Sequence, residues 1–290
     1  MRWTSSGRSR NIEDRRTQRP AYRRPAPLGC GGMIFILVIS YLMGWNPLPL
    51  LQMSGGGSGQ PQPSSQVQDG SYQANPQEEE LVDFVSFVLD DAQALWAENL
   101  PRYGVQYRDA KLVLFRDRVQ SACGFASAAT GPFYCPADEK VYIDLGFYDE
   151  LRRRFGASGD FAQAYVLAHE IGHHVQKITG IEQEVRRRQR DRPRMANDLS
   201  VLMELQADCL AGVWAHHADR VRNILEEGDV EEGLNAAAAI GDDRIQKQSQ
   251  GYVVPDAFTH GSSDQRVRWF RRGLKEGDVS QCDTFRAASL

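Results

Sequence analysis

The sequence predicts an α+β protein: a predominantly helical domain with a small β-sheet, preceded by one transmembrane helix. Three observations carry this. Apolar residues recur at helical spacing over Glu79–Asn99 and mark one surface of Asn197–Ala218, and Asp160–Gly180 reads as a helix with start and stop signals and no proline. Two short runs rich in β-branched and aromatic residues, KLVLFR at 111–116 and KVYIDL at 140–145, read as strands. Upstream of them, the apolar run Leu28–Trp45 sits in a stretch with no charged residue from Pro25 to Gln68. A chain of 290 residues, 41% hydrophobic and 25% charged, holds one good-sized globular domain and some appendages.

The amino end is read first. Residues 1–24 carry eight arginines against Glu13 and Asp14, a local +6, which leaves −10 for the rest of a chain of net charge −4. An acidic body argues against nucleic-acid binding, and none is expected. Leu28–Trp45 is about 27 Å long as a helix, near the lower limit for spanning a bilayer. Tyr41 and Trp45 lie at its end, where interfacial aromatics belong. The arginine-rich flank is expected in the cytoplasm, with the remainder extracytoplasmic. A cleaved signal peptide is the rival reading, but the basic region is long and no A-x-A site follows. The expected organisation is a basic cytoplasmic tail (1–27), a single-pass membrane helix (28–45), a flexible Pro/Gly/Ser/Gln linker (46–77) and a folded domain (78–290).

Within that domain, Leu81, Phe84, Val85, Val88, Leu89 and Trp96 mark the core face of the first helix. PFYC at 132–135 is a candidate third strand. Cys123 and Cys135 flank Gly131-Pro132 in a loop suited to a disulfide, consistent with export. Cys209 either pairs with Cys282 or is a free buried thiol. Phe147–Phe155 reads as helical, and Glu182–Arg194 as a surface helix and loop.

The chemistry concentrates in Asp160–Gly180, which contains His169-Glu170-Ile171-Gly172-His173. Residues i and i+4 share a helix face, so His169 and His173 can hold one zinc ion. Glu170 beside them is placed to take a proton from an attacking water. Asp160 and Gln163 fit a capping box, and Gly180 a helix stop. Gly172, a poor helix former, suggests that something passes close to that face. In Asn197–Ala218 the carboxylates Glu204 and Asp208 stand among apolar neighbours, where an acid is costly unless paired or coordinated. Glu204 completes a His2Glu metal set, and Asp208 is placed to accept the spare ring N–H of a ligand histidine. His216 and His217 are read as a solvated pair at the helix end. Further on, Ser262 or Ser263 is a candidate N-cap, and His260 just before it is a candidate catalytic residue.

HEIGHHVQ at 169–176, ELQAD at 204–208, GPFYCP at 131–136 and THGSSDQR at 259–266 together resemble the bacterial putative neutral zinc metallopeptidase family. The order of motifs is also similar to gluzincin peptidases of the HtpX type, although Gly261 stands where their proline falls. The resemblance covers roughly residues 78–285. It implies a zincin-like metallopeptidase domain acting on a protein or peptide substrate. Two rival readings are a membrane-tethered zinc-binding protein without turnover, and nucleic-acid binding through the arginine tail.

Overall fold

The computed structural model describes residues 1–5, 7–18, 75–156 and 159–287. The run 28–45 read as a transmembrane helix, and the linker as far as residue 74, lie outside them. Among the described residues no helix is long and apolar enough to cross a membrane. What is described is a mostly helical domain with a small mixed sheet.

The first helix, α1 (Pro76–Asn99), begins inside the stretch read as linker. Asn75 caps it through Gln77 N–H, and Pro76 sits in the first turn, where its missing N–H costs nothing. Its Val82, Val85, Val88, Leu89 and Trp96 are buried, as the apolar spacing requires. The sheet follows, with strands β2 (Lys111–Phe115), β5 (Phe133–Cys135) and β6 (Lys140–Asp144), joined by β1 (Ile12–Asp14) from the amino end. The strand order is β1-β2-β6-β5, the first three parallel and β5 antiparallel to β6. A separate hairpin pairs β3 (Arg118–Ser121) with β4 (Gly124–Ser127).

Seven helices among the described residues complete the domain. They are α2 (Gly146–Phe155), α3 (Asp160–Ile178), α4 (Ile181–Asp191), α5 (Ala196–Arg220), α6 (Asp229–Ala239), α7 (Asp242–Gln250) and α8 (Ser263–Glu276). Helix α3 runs through the middle of the core, so its burial extends round most of its circumference. Phe161 stacks on Trp214 of α5 at 5.9 Å, and Tyr165 meets Phe270 of α8 edge-on at 5.1 Å.

Three local readings are corrected. Asp160 is the first residue of α3, not its cap; Gly159 precedes it, and the first-turn N–H of Phe161 donates to Glu232 Oε2 at 3.2 Å. The hairpin β3–β4 lies in residues to which the sequence assigns no strand. Residues 1–18, read as part of a tail apart from the domain, belong to its folded unit through β1. Arg2, Arg8, Arg10 and Arg16 meet acids of the body there.

Candidate metal centre

Helices α3 and α5 cross closely enough to share a site because of Gly172. A Cβ there would stand 3.1 Å from the carbonyl oxygen of Ala207 and 3.2 Å from its Cα, tighter than packed side chains tolerate. This crossing brings Glu204, nearly one turn before Ala207, opposite the two histidines. Glu204 Oε2 lies 3.2 Å from His169 Nε2, and its Oε1 lies 3.4 Å from His173 Nε2. Four-coordinate zinc with bonds of about 2.0–2.1 Å sets neighbouring donor atoms about 3.3–3.4 Å apart, the edge of a tetrahedron.

The ring orientations fit a metal as well. His169 Nδ1 is 2.8 Å from Asp208 Oδ1, and His173 Nδ1 is 2.8 Å from Gln176 Oε1. In the neutral rings, oxygen acceptors at both Nδ1 positions keep the proton there and turn the Nε2 lone pairs inward. His169 is buried, while His173 and Glu204 keep 17% and 19% of their side chains open to a cavity, enough for a substrate to reach them.

The electrostatics set protons and zinc in competition for these nitrogens. Burial opposes a charged His169, yet the Asp208 carboxylate and the contact with Glu204 raise it to about 9. Burial likewise opposes a charged His173, which Glu204 draws upward. Burial would raise Glu204, but His173 and His169 hold it well below the usual carboxylate range. Zinc requires neutral imidazole, so its affinity rises as pH rises towards 9. Zinc added to chelator-treated protein near neutral pH should therefore release about one proton from His169. Titration calorimetry in buffers of different ionisation enthalpy measures this. An identical heat in every buffer would contradict it.

Behind His169 lies a buried ionic network. Helix α8 crosses α5 at paired glycines: a Cβ on Gly273 would sit 1.9 Å from Cys209 O, and one on Gly212 would sit 2.1 Å from Phe270 O. That approach delivers Arg266, 2% exposed, to Asp208, 0% exposed. Arg266 Nε and Nη2 donate to the two Asp208 oxygens at 2.9 Å each, and Tyr165 Oη donates to Oδ1 at 2.5 Å. Burial raises Asp208, but Arg266 and His169 outweigh it and hold the carboxyl low. The second Cys pair, Cys209–Cys282, is bonded with a Cα separation of 5.5 Å and ties α5 to the carboxy-terminal segment.

A cavity of about 530 Å³ opens over the metal set. Glu170 and His260 line it beside the three candidate ligands, with Phe133, Tyr134, Phe147, Val166, Ile240 and Ile245 as its apolar wall. His260 is half exposed and hydrogen-bonds through Nδ1 to Asp242 Oδ1 at 3.1 Å, which raises its pKa. Strand β5 forms the sheet edge on this side. His174 ties it to α3: its Nε2–H donates to the Arg108 carbonyl at 2.6 Å, so its Nδ1 accepts from Tyr134 Oη at 3.0 Å. The disulfide Cys123–Cys135 holds the end of the same strand. A larger hollow of about 690 Å³, lined by Glu78, Arg116, Asp144 and Gln163, contains none of the candidate ligands.

His169, His173 and Glu204 are thus brought together, with Asp208 behind His169 and with Glu170 and His260 on the shared cavity. His216 and His217 are not near them. They are also not the solvated pair expected, since they bond the carbonyls of Leu274 and Gly277 at 2.8 and 3.1 Å. A second acidic group, Asp160, Asp229 and Glu232, lies by the α-amino group of Met1, 2.9 Å from Asp160. Sequence reasoning gave no role to Arg266, Tyr165, His174 or Gln176. Arg266 did carry a signal: it lies on the helix face of Trp269, Phe270 and Gly273, where a charge needs a buried partner.

Two imidazoles from α3 and a carboxylate from α5 define a candidate His2Glu metal centre on a mostly helical α+β domain. The chain belongs to the putative neutral zinc metallopeptidase family, whose model matches residues 1–285. It is 47% identical over 293 residues to the uncharacterized protein YpfJ of Escherichia coli strain K12, covering 98% of this chain and 99% of that one. It is 43% identical over 211 residues to the uncharacterized protein Rv2575 of Mycobacterium tuberculosis, covering 69% of each. No solved structure matches it.

Proposed function

We propose that the chain is a zinc-dependent endopeptidase, attached to a membrane through residues 28–45, that hydrolyses peptide bonds of a protein or peptide substrate. The observation that carries this is the spacing of His169 Nε2, His173 Nε2 and Glu204, whose ligand atoms all lie within 4.8 Å of one another. Zinc held there supplies Lewis-acid chemistry, lowering the pKa of a water towards about 7 and polarising a carbonyl. Asp208 and Gln176 hold the imidazoles in the tautomer that this requires. Glu170, on the same helix and open to the cavity, takes the proton of the attacking water and passes it to the leaving amine. His260, kept protonated to higher pH by Asp242, donates to the developing oxyanion. A well-placed donor of this kind contributes about 3–4 kcal/mol to transition-state binding.

The edge strand β5 suits an extended substrate, whose backbone would pair with it while side chains meet Phe133, Phe147 and Ile245. The two disulfides favour an extracytoplasmic site for the domain. The test is hydrolysis of casein or a quenched-fluorescent peptide by the full-length protein in detergent, with chelator and after zinc is restored. The expected result is cleavage that chelator removes and zinc returns. Zinc-loaded protein that cleaves neither substrate would favour the tethered zinc-binding reading.

A further inference from the structure

Five arginines of the amino-terminal segment, the charges that mark it as a cytoplasmic flank, are engaged inside the folded unit. Arg2 meets Glu226 at 3.6 Å, Arg10 meets Asp109 at 3.5 Å, and Arg15 meets Glu13 at 2.5 Å. Arg8 reaches Glu79 at 2.5 Å. Arg16, whose side chain is 1% exposed, bonds Glu78 at 3.1 Å, Glu79 at 2.7 Å and Asp14 at 2.7 Å. The positive-inside rule reads lysines and arginines near a membrane segment as an orientation signal, and here that signal is tied up in ion pairs.

The backbone says the same. Ile12, Glu13 and Asp14 pair in parallel register with Leu112, Val113 and Leu114, making β1 the outer strand of the sheet. Ser9 Oγ donates to Asp90 Oδ1 at 2.6 Å, and Lys111 Nζ donates to Asn11 Oδ1 at 2.7 Å. Arg16, upstream of the apolar run in sequence, is clasped to Glu78 and Glu79, downstream of it. Paired strands lie about 4.8 Å apart, and a bilayer core is about 30 Å thick. A strand therefore cannot pair with a domain on the other side.

We infer that residues 1–18 and the domain from Asn75 onward occupy the same side of the membrane to which the chain is attached. This rests on the membrane attachment proposed above and is independent of the zinc chemistry. It replaces the single crossing, with tail and domain on opposite sides, that the sequence suggests.

The test uses the full chain in its native membrane, with Cys30→Ser to remove the one cysteine outside the disulfides. Thr4→Cys and Ala97→Cys, both at exposed positions, are introduced separately. Cells are labelled with a membrane-impermeant maleimide before and after lysis. The expected result is that both positions label before lysis, or both only after it. The first outcome also supports the extracytoplasmic reading, and the second overturns that reading while leaving this inference standing. Labelling of one position before lysis and the other only afterwards overturns the inference. Recovery of the chain in the soluble fraction overturns it too, by removing the attachment it rests on.

Discussion

Glu170→Gln is expected to lower peptide hydrolysis by about 10²–10⁴-fold, the range for loss of a general base, and to leave zinc bound. Both halves follow from where the side chain lies. Glu170 lines the cavity beside the metal set, but the groups within bonding reach of one another are His169, His173 and Glu204. Glutamine keeps the size and the burial of the residue while removing its capacity to accept and return a proton. The measurement pairs steady-state hydrolysis with zinc content on the same preparation. Undiminished cleavage would show that the base has been misassigned. Loss of zinc together with activity would show that Glu170 supports the metal instead.

Asp208→Ala is expected to be the most damaging change to the fold near the site. It strips the Arg266 guanidinium of its bidentate partner and leaves the Tyr165 hydroxyl and His169 Nδ1 without their acceptor. Leaving a buried charge unpaired costs about 3–5 kcal/mol, a fall in melting temperature on the order of 10 °C for a domain of this size. Losing the acceptor behind a ligand histidine should weaken zinc binding by about 10–100-fold. The two effects can be separated. The double variant Asp208→Leu, Arg266→Met fills the space with apolar groups and should recover much of the stability, but not the zinc affinity. Thermal unfolding and metal competition assays read these outcomes independently. A single variant that matches the wild type in both would contradict the role given to the network.

How far this was legible in the sequence depends on whether the signal was local. The i, i+4 spacing of His169 and His173 is a property of one helix, and the structure puts both rings on one face. Gly172 hinted at a close neighbour, which proved to be the backbone of Ala207. Glu204 and Asp208 stood out because carboxylates among Leu202, Leu205 and Leu210 need a reason to be there. Arg266 was harder to read, since its partner lies 58 positions away and only the three-dimensional crossing at Gly212 and Gly273 joins them. Strand β1 had almost no local signal: in Ile12-Glu13-Asp14 one apolar residue precedes two acids. An arginine-rich segment before an apolar run has a simpler local reading as a membrane flank. Its actual partners, in β2 and α1, are decided by register and charge far along the chain. The false capping box at Asp160 is a smaller instance, in which a matching pair of residue types did not fix the helix start.

Zinc-dependent hydrolysis by this chain requires a carboxylate from α5 to share one cation with two imidazoles from α3. Metal analysis of the purified full-length protein, wild type beside Glu204→Ala, addresses that point most directly. The account predicts about one zinc per chain in the wild type and little after dialysis of the variant, with the fold retained by circular dichroism. A folded Glu204→Ala protein that keeps its zinc as tightly as the wild type would contradict it.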